Sequence, residues 1–188
     1  SNGAQALGVQ NMKEGIFTRG VLYDVPAFRG TEYVDHENPV HGWELEAIAK
    51  SNGITPMSGD AVLVRSGIQN FLASNPDYNK MGVEMPGVHA SCIEFFHTYD
   101  SAILGWDMMD ASGQGYKGTI PIGPDKFASW PVHFMALPYL GMPLIDNTNL
   151  EPLSEYAGKE NRYEFLFVIS PLHVQGGTGS PVNPLAIF

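Results

Sequence analysis

His133 and Asp146 stand 13 positions apart in PVHFMALPYLGMPLIDN, residues 131–147. Pro131 suits a first helical turn, where a missing N–H costs nothing. The apolar residues Phe134, Met135, Leu137 and Leu140 continue a short helix, and Gly141 is its natural stop. A buried strand at 142–145 then ends in Asp146. Helix starts and the C-terminal ends of strands are where α/β folds place chemistry. Histidine with a carboxylate is also a common donor pair for zinc or manganese. The plainer reading of the same residues is an exposed first-turn histidine and a turn or N-cap aspartate.

Three more residues have chemistry-bearing positions. Asp107 follows the strand at 102–106 and sits at a sheet edge, as a catalytic carboxylate or as a simple cap. His89 precedes a helix, where it can face a pocket. Arg65 ends AVLVR, either to hold a substrate carboxylate or to make a structural salt bridge. Other signals are weaker. His97 with Asp100 reads as a solvated helix end. His36, His41 and His173 have no usable spacing. The glycine-rich run at 176–180 lacks GxxxxGK[ST] and precedes a strand, so it reads as a tight bend near a site. HExxH and GxSxG are absent.

These residues need elements to hold them. Strands are expected at 20–25, 61–65, 102–106, 142–145, 163–169 and 185–188. Helices are expected at 43–50, 90–99, 131–140 and 151–157, the last stopping at Gly158. Residues 28–40, 71–84 and 108–126 read as loops. Strands alternating with short helices give an α/β class with a mixed sheet, and no repeat or linker divides residues 1–188.

The chain has 188 residues, 44% of them hydrophobic, with a formal net charge of −10. That is enough for one domain with a sizeable core. The acidic balance argues against nucleic acid or an anionic membrane as partner. The single cysteine, Cys92, lies in an apolar segment. It reads as a core residue, with a nucleophile as the alternative, and no intrachain disulfide can form. No apolar run reaches a transmembrane length and no secretory signal opens the chain, which points to the cytoplasm.

Five segments together resemble the cyclase family that includes bacterial kynurenine formamidase and isatin hydrolase. They are GIFTRGVLYDVP, SGDAVLVRSG, PGVHASCIEFFHTYDSAILGWDMMD, PVHFMALPYLGMPLIDN and FLFVISPLHVQGGTGSPVNPLAIF. The resemblance implies a swivelling β/β/α fold and a metal-dependent hydrolase that opens amide or lactam C–N bonds. The implied cofactor is zinc or manganese. In the family a His followed about a dozen residues later by a Glu contributes to the metal site, and His133 and Asp146 occupy the similar places. The aspartate is one methylene shorter, which weakens a second metal. The family signature HxGTHxDxPxH, which lies upstream, is absent from these residues. The chain therefore resembles a C-terminal portion, incomplete at its N-terminus. Its expected partners are a small amide or lactam substrate, and either further copies of itself or a missing N-terminal segment covering exposed apolar surface. The alternative is a catalytically inactive binding or structural module of the same fold.

Overall fold

The structure is a computed structural model that describes residues 3–4, 6–78, 86–111, 120–123 and 126–188. Its elements in chain order begin with a 3-10 turn at Val9–Met12, β1 (Ile16–Asp24), α1 (Val25–Arg29), α2 (Gly42–Ser51), β2 (Ala61–Arg65) and α3 (Ile68–Ser74). Then come α4 (Cys92–Thr98), β3 (Ile103–Trp106), β4 (Ile120–Gly123), β5 (Lys126–Ala128) and α5 (Pro131–Met135). A π-helical turn at Ala136–Leu140, β6 (Leu144–Ile145), α6 (Glu151–Glu160), β7 (Glu164–Ile169) and β8 (Leu185–Ile187) complete it.

The apolar runs set the sheet. Its order is β6-β3-β2-β1-β7-β8. The four strands β6, β3, β2 and β1 are parallel, and β7 and β8 join antiparallel, giving the expected mixed α/β sheet. Alternate side chains divide between two cores, as the period of two demands. Val21, Tyr23, Val62, Val64, Leu104 and Trp106 face α2 and α4, which bury Leu45, Ile48, Phe95 and Phe96. Leu22, Leu63, Ile103, Phe165 and Phe167 face the other way, with Ala157 of α6. Cys92 is fully buried in the first core.

Because four strands run parallel, their C-terminal ends share one edge of the sheet. Asp24, Arg65, Trp106 and Asp107, and Asp146 all arrive there. Asp24 and Arg65 are register partners on β1 and β2. Asp107, 3% exposed, anchors the next turn of chain. One of its oxygens accepts N–H bonds from Ser66 and Met108, and the other from Gly67 and Ile68, at 2.7–3.1 Å. That carboxylate caps α3.

Several local expectations change in the structure. The 71–84 loop begins instead inside α3, because its cap comes from Asp107, 40 positions away. The 108–126 loop contains a separate two-stranded ribbon, β4 with β5; residues 112–119 and 124–125 lie outside the described residues. α6 runs through Gly158 and stops at Asn161, which takes the left-handed conformation, φ 48°. A glycine within an exposed helix costs only about 1 kcal/mol and need not end it. The strand expected to reach residue 25 ends at Asp24, which caps α1, with Pro26 in the first turn of that helix.

Asp107→Ala removes two acceptor oxygens that hold four N–H bonds, and strands buried N–H groups. Each orphaned group costs about 1–3 kcal/mol. The variant is expected to lose at least about 3 kcal/mol in urea unfolding, and a loss under about 1 kcal/mol would contradict the capping role.

Candidate active site

The C-terminal end of β3 aims three side chains within five residues. Trp106 is fully buried and donates from Nε1 to Asp146 Oδ1 at 2.6 Å. Asp107 turns back to cap α3. Asp110, also fully buried, accepts from the backbone N–H groups of Val132 and His133 and from His133 Nδ1, the last at 2.5 Å. The start of α5 is therefore docked on a buried carboxylate.

With Nδ1 held by Asp110, His133 presents Nε2 to Asp146 Oδ2 at 3.3 Å. The π-turn that follows contains Pro138, which cannot donate to the regular helical ladder. Widening to a π-turn absorbs that missing donor. Gly141 then reverses the chain with φ 65° into β6, whose end carries Asp146.

The site is electrostatically asymmetric. Burial alone lowers the His133 pKa, but hydrogen bonds and charge from Asp110 and Asp146 overrule it and raise it to about 9. Burial raises the Asp146 pKa, yet the bonds from His133 and Trp106 outweigh it and hold the carboxylate below its usual range. Both groups line a cavity of about 860 Å³, whose walls also include Met12, Leu137, Met142 and the 178–180 bend. The glycine-rich run thus borders the same cavity as His133 and Asp146.

The other expected site residues lie elsewhere. Arg65 does not face the cavity as a substrate clamp: it is 8% exposed and bonded to Asp24 at 2.8 Å and Glu151 at 2.7 Å. Its charge ties α6 to the sheet. Asp107 is a buried cap rather than a catalytic carboxylate, its four N–H partners occupying both oxygens. His89 borders a different hollow, between α4 and α5, with Ser91, His97 and Phe134. Its ring packs against His41 with centroids 4.4 Å apart. Burial and the neighbouring His41 lower its pKa. Asp110 and Trp106 escaped the sequence reading. The available signal was the second aspartate of Asp-Met-Met-Asp after a strand, three positions past Asp107.

The donor set permits a metal in part. Nε2 and Oδ2 converge, and each ligand's remaining polar atom is already fixed by a neighbour, the arrangement metal ligands commonly show. No group of three or more His, Cys, Asp or Glu suited to a metal occurs among the described residues. Two donors from this chain fall short of the usual three or four.

The family model described as "Putative cyclase" matches residues 3–112, more than half of the chain. The chain belongs to this cyclase family. Among solved structures, one described as a novel cyclase aligns at 24% identity and TM-score 0.74, over 96% of this chain and 56% of its own. Isatin hydrolase A from Labrenzia aggregata, bound to benzyl benzoate, aligns at 19% identity and TM-score 0.64, over 94% and 63%. A potential metal-dependent hydrolase with cyclase activity aligns at 12% identity and TM-score 0.54, over 96% and 68%. This cyclase-family chain thus shares their fold and spans a little over half the length of the first. No curated protein matches the sequence. Among the described residues, no helix is long and apolar enough to cross a membrane.

The His133 environment predicts a pH dependence of stability in the metal-free protein. Its folded pKa, about 9, exceeds the ordinary 6.5. The stabilisation is therefore complete below about pH 6.5 and fades as pH rises toward 9. Between about pH 6 and pH 8.5 the wild type is expected to lose about 2 kcal/mol through this group. His133→Asn removes that slope. An unchanged slope in the variant would contradict the raised pKa.

Proposed function

We propose that the chain forms part of the active centre of a metal-dependent hydrolase of amide or lactam C–N bonds, related to arylformamidases and isatin hydrolases. The observation that carries this reading is the convergence of His133 Nε2 and Asp146 Oδ2 on the cavity, with Nδ1 and Oδ1 already held by Asp110 and Trp106. Family membership and the titles of the neighbours, one named a potential metal-dependent hydrolase, support it.

His133 and Asp146 would hold a zinc or manganese ion, with further ligands from polypeptide beyond the described residues. When bound, such an ion supplies an activated water and polarises the scissile carbonyl. The chain's own residues do the rest. Asp110 fixes the His133 tautomer and ring plane, so that Nε2 faces the cavity. Trp106 holds Oδ1 of Asp146 and leaves Oδ2 directed inward. Leu137 and Met142 contribute aliphatic wall to the cavity. When no ion is present, the proton on Nε2 bridges to Asp146 and keeps the pair together.

Zinc or manganese titration, together with hydrolysis of N-formyl and cyclic amides, tests the reading. His133→Ala and Asp146→Ala are each expected to weaken metal affinity at least about tenfold. Asp110→Asn is expected to lower affinity or activity by about 10–100-fold, the usual range for a residue behind a ligand. Metal binding unaffected by all three changes would contradict the proposal. Wild-type protein that binds metal yet hydrolyses no amide would leave the inactive module of the same fold.

A further inference from the structure

Asp146 leaves a strand too short to aim it. β6 has two residues, Leu144 and Ile145, paired with Leu104 and Gly105 of β3. Two register pairs fix the strand at the sheet edge, but not the direction of a side chain beyond its end. That direction must come from the turn that follows, at 145–148.

Asn147 takes the left-handed conformation in this turn, φ 54°. Outside glycine the conformation is uncommon and costs energy, so it persists only where the surroundings demand it. Among the described residues three other non-glycine residues have positive φ. Asp100 and Asn161 stand past the ends of α4 and α6, where a left-handed residue is a usual way to stop a helix. Leu7 lies in irregular chain before the 3-10 turn. Asn147 stops no helix. It stands one residue past Asp146 and lines the same cavity.

Thr148 adds a second constraint. In an ordinary turn its backbone N–H would bond the Ile145 carbonyl. Here the Thr148 hydroxyl donates to that carbonyl at 3.0 Å, and the N–H is released to the Trp106 carbonyl at 2.9 Å. Trp106 itself donates from Nε1 to Asp146 Oδ1 at 2.6 Å. The turn and the carboxylate are thus tied to one residue of β3, the first through its main chain and the second through its ring. Oδ2 is left facing His133 Nε2 at 3.3 Å. If Asn147 left the left-handed region, Thr148 would be carried off β3 and the carboxylate would turn with it.

We propose that Asn147 and Thr148 are positioning residues for Asp146: the left-handed backbone of one and the hydroxyl of the other set where Oδ2 points. Their effect on a divalent ion rests on the metal-dependent hydrolase reading, and their effect on the carboxylate rests on the turn alone.

Matched variants of the full-length protein test this. Asn147→Ala is expected to weaken manganese binding about tenfold in calorimetric titration, because alanine resists the left-handed region. Asn147→Gly takes that region freely and is expected to stay within about threefold of the wild type. Thr148→Val deletes the hydroxyl at nearly constant shape and is expected to weaken binding about fivefold, whereas Thr148→Ser keeps it. In the metal-free protein the Trp106 indole N–H resonance, assigned by its loss in Trp106→Phe, reads the carboxylate directly. It is expected to move upfield in Asn147→Ala and Thr148→Val and to stay in place in Asn147→Gly and Thr148→Ser. Residues that only supported the fold would lower stability in urea and leave this resonance of the folded protein unmoved, a result that overturns the inference. An Asn147→Gly variant as impaired as Asn147→Ala overturns it too. Indole shifts in the expected pattern, with no manganese bound by the wild type, uphold the inference and defeat the metal reading. Manganese bound equally by the wild type and all four turn variants, with the resonance unmoved, does the reverse.

Discussion

The buried carboxylate of Asp110 is the constraint on which the site depends. A fully buried carboxylate is tolerated only when its oxygens are supplied with donors. Here the donors are the first N–H groups of α5 and the imidazole of His133. Satisfying Asp110 therefore fixes where α5 starts, how the His133 ring is turned, and which nitrogen reaches the cavity. Trp106 and Asp107 flank the same strand end. One orients Asp146, and the other caps α3. Five consecutive residues, Trp106 to Asp110, thus connect β3 to three other parts of the chain through side-chain hydrogen bonds.

An acidic chain must decide where its few cations go. Arg19 and Arg65 are each held between two carboxylates, and Arg29 pairs with Glu44 of α2. Arg65 illustrates the consequence. Its position at a strand end is where a substrate clamp belongs, yet Asp24 beside it in register and Glu151 on α6 claim both ends of the guanidinium. Stability at the sheet edge and the absence of this guanidinium from the cavity follow from the same arrangement.

Much of the frame is legible in the sequence because its signals are local. AVLVR is apolar, short and bounded by turns, and it forms β2 with those limits. Pro131 and Gly141 bracket the helical stretch as their backbone preferences require. The pairing of His133 with Asp146 followed from a helix start and a strand end joined by apolar sequence. What escaped depends on distant partners. Nothing near residue 68 announces α3, because its cap is Asp107. Asp107 looked available for chemistry because the four N–H groups that saturate it lie mostly on another strand's turn. Asp110 was passed over beside it, since only the packed fold shows which of two aspartates faces α5.

The central claim is that Asp110 and Trp106 hold His133 and Asp146 as two ligands of one divalent ion. Anomalous diffraction from crystals of the protein soaked in manganese tests it most directly. The account predicts an anomalous peak at bonding distance from both His133 Nε2 and Asp146 Oδ2. A peak bound instead at the His41 and His89 pair, with His133 Nε2 still turned to Asp146 and no ion between them, would contradict it.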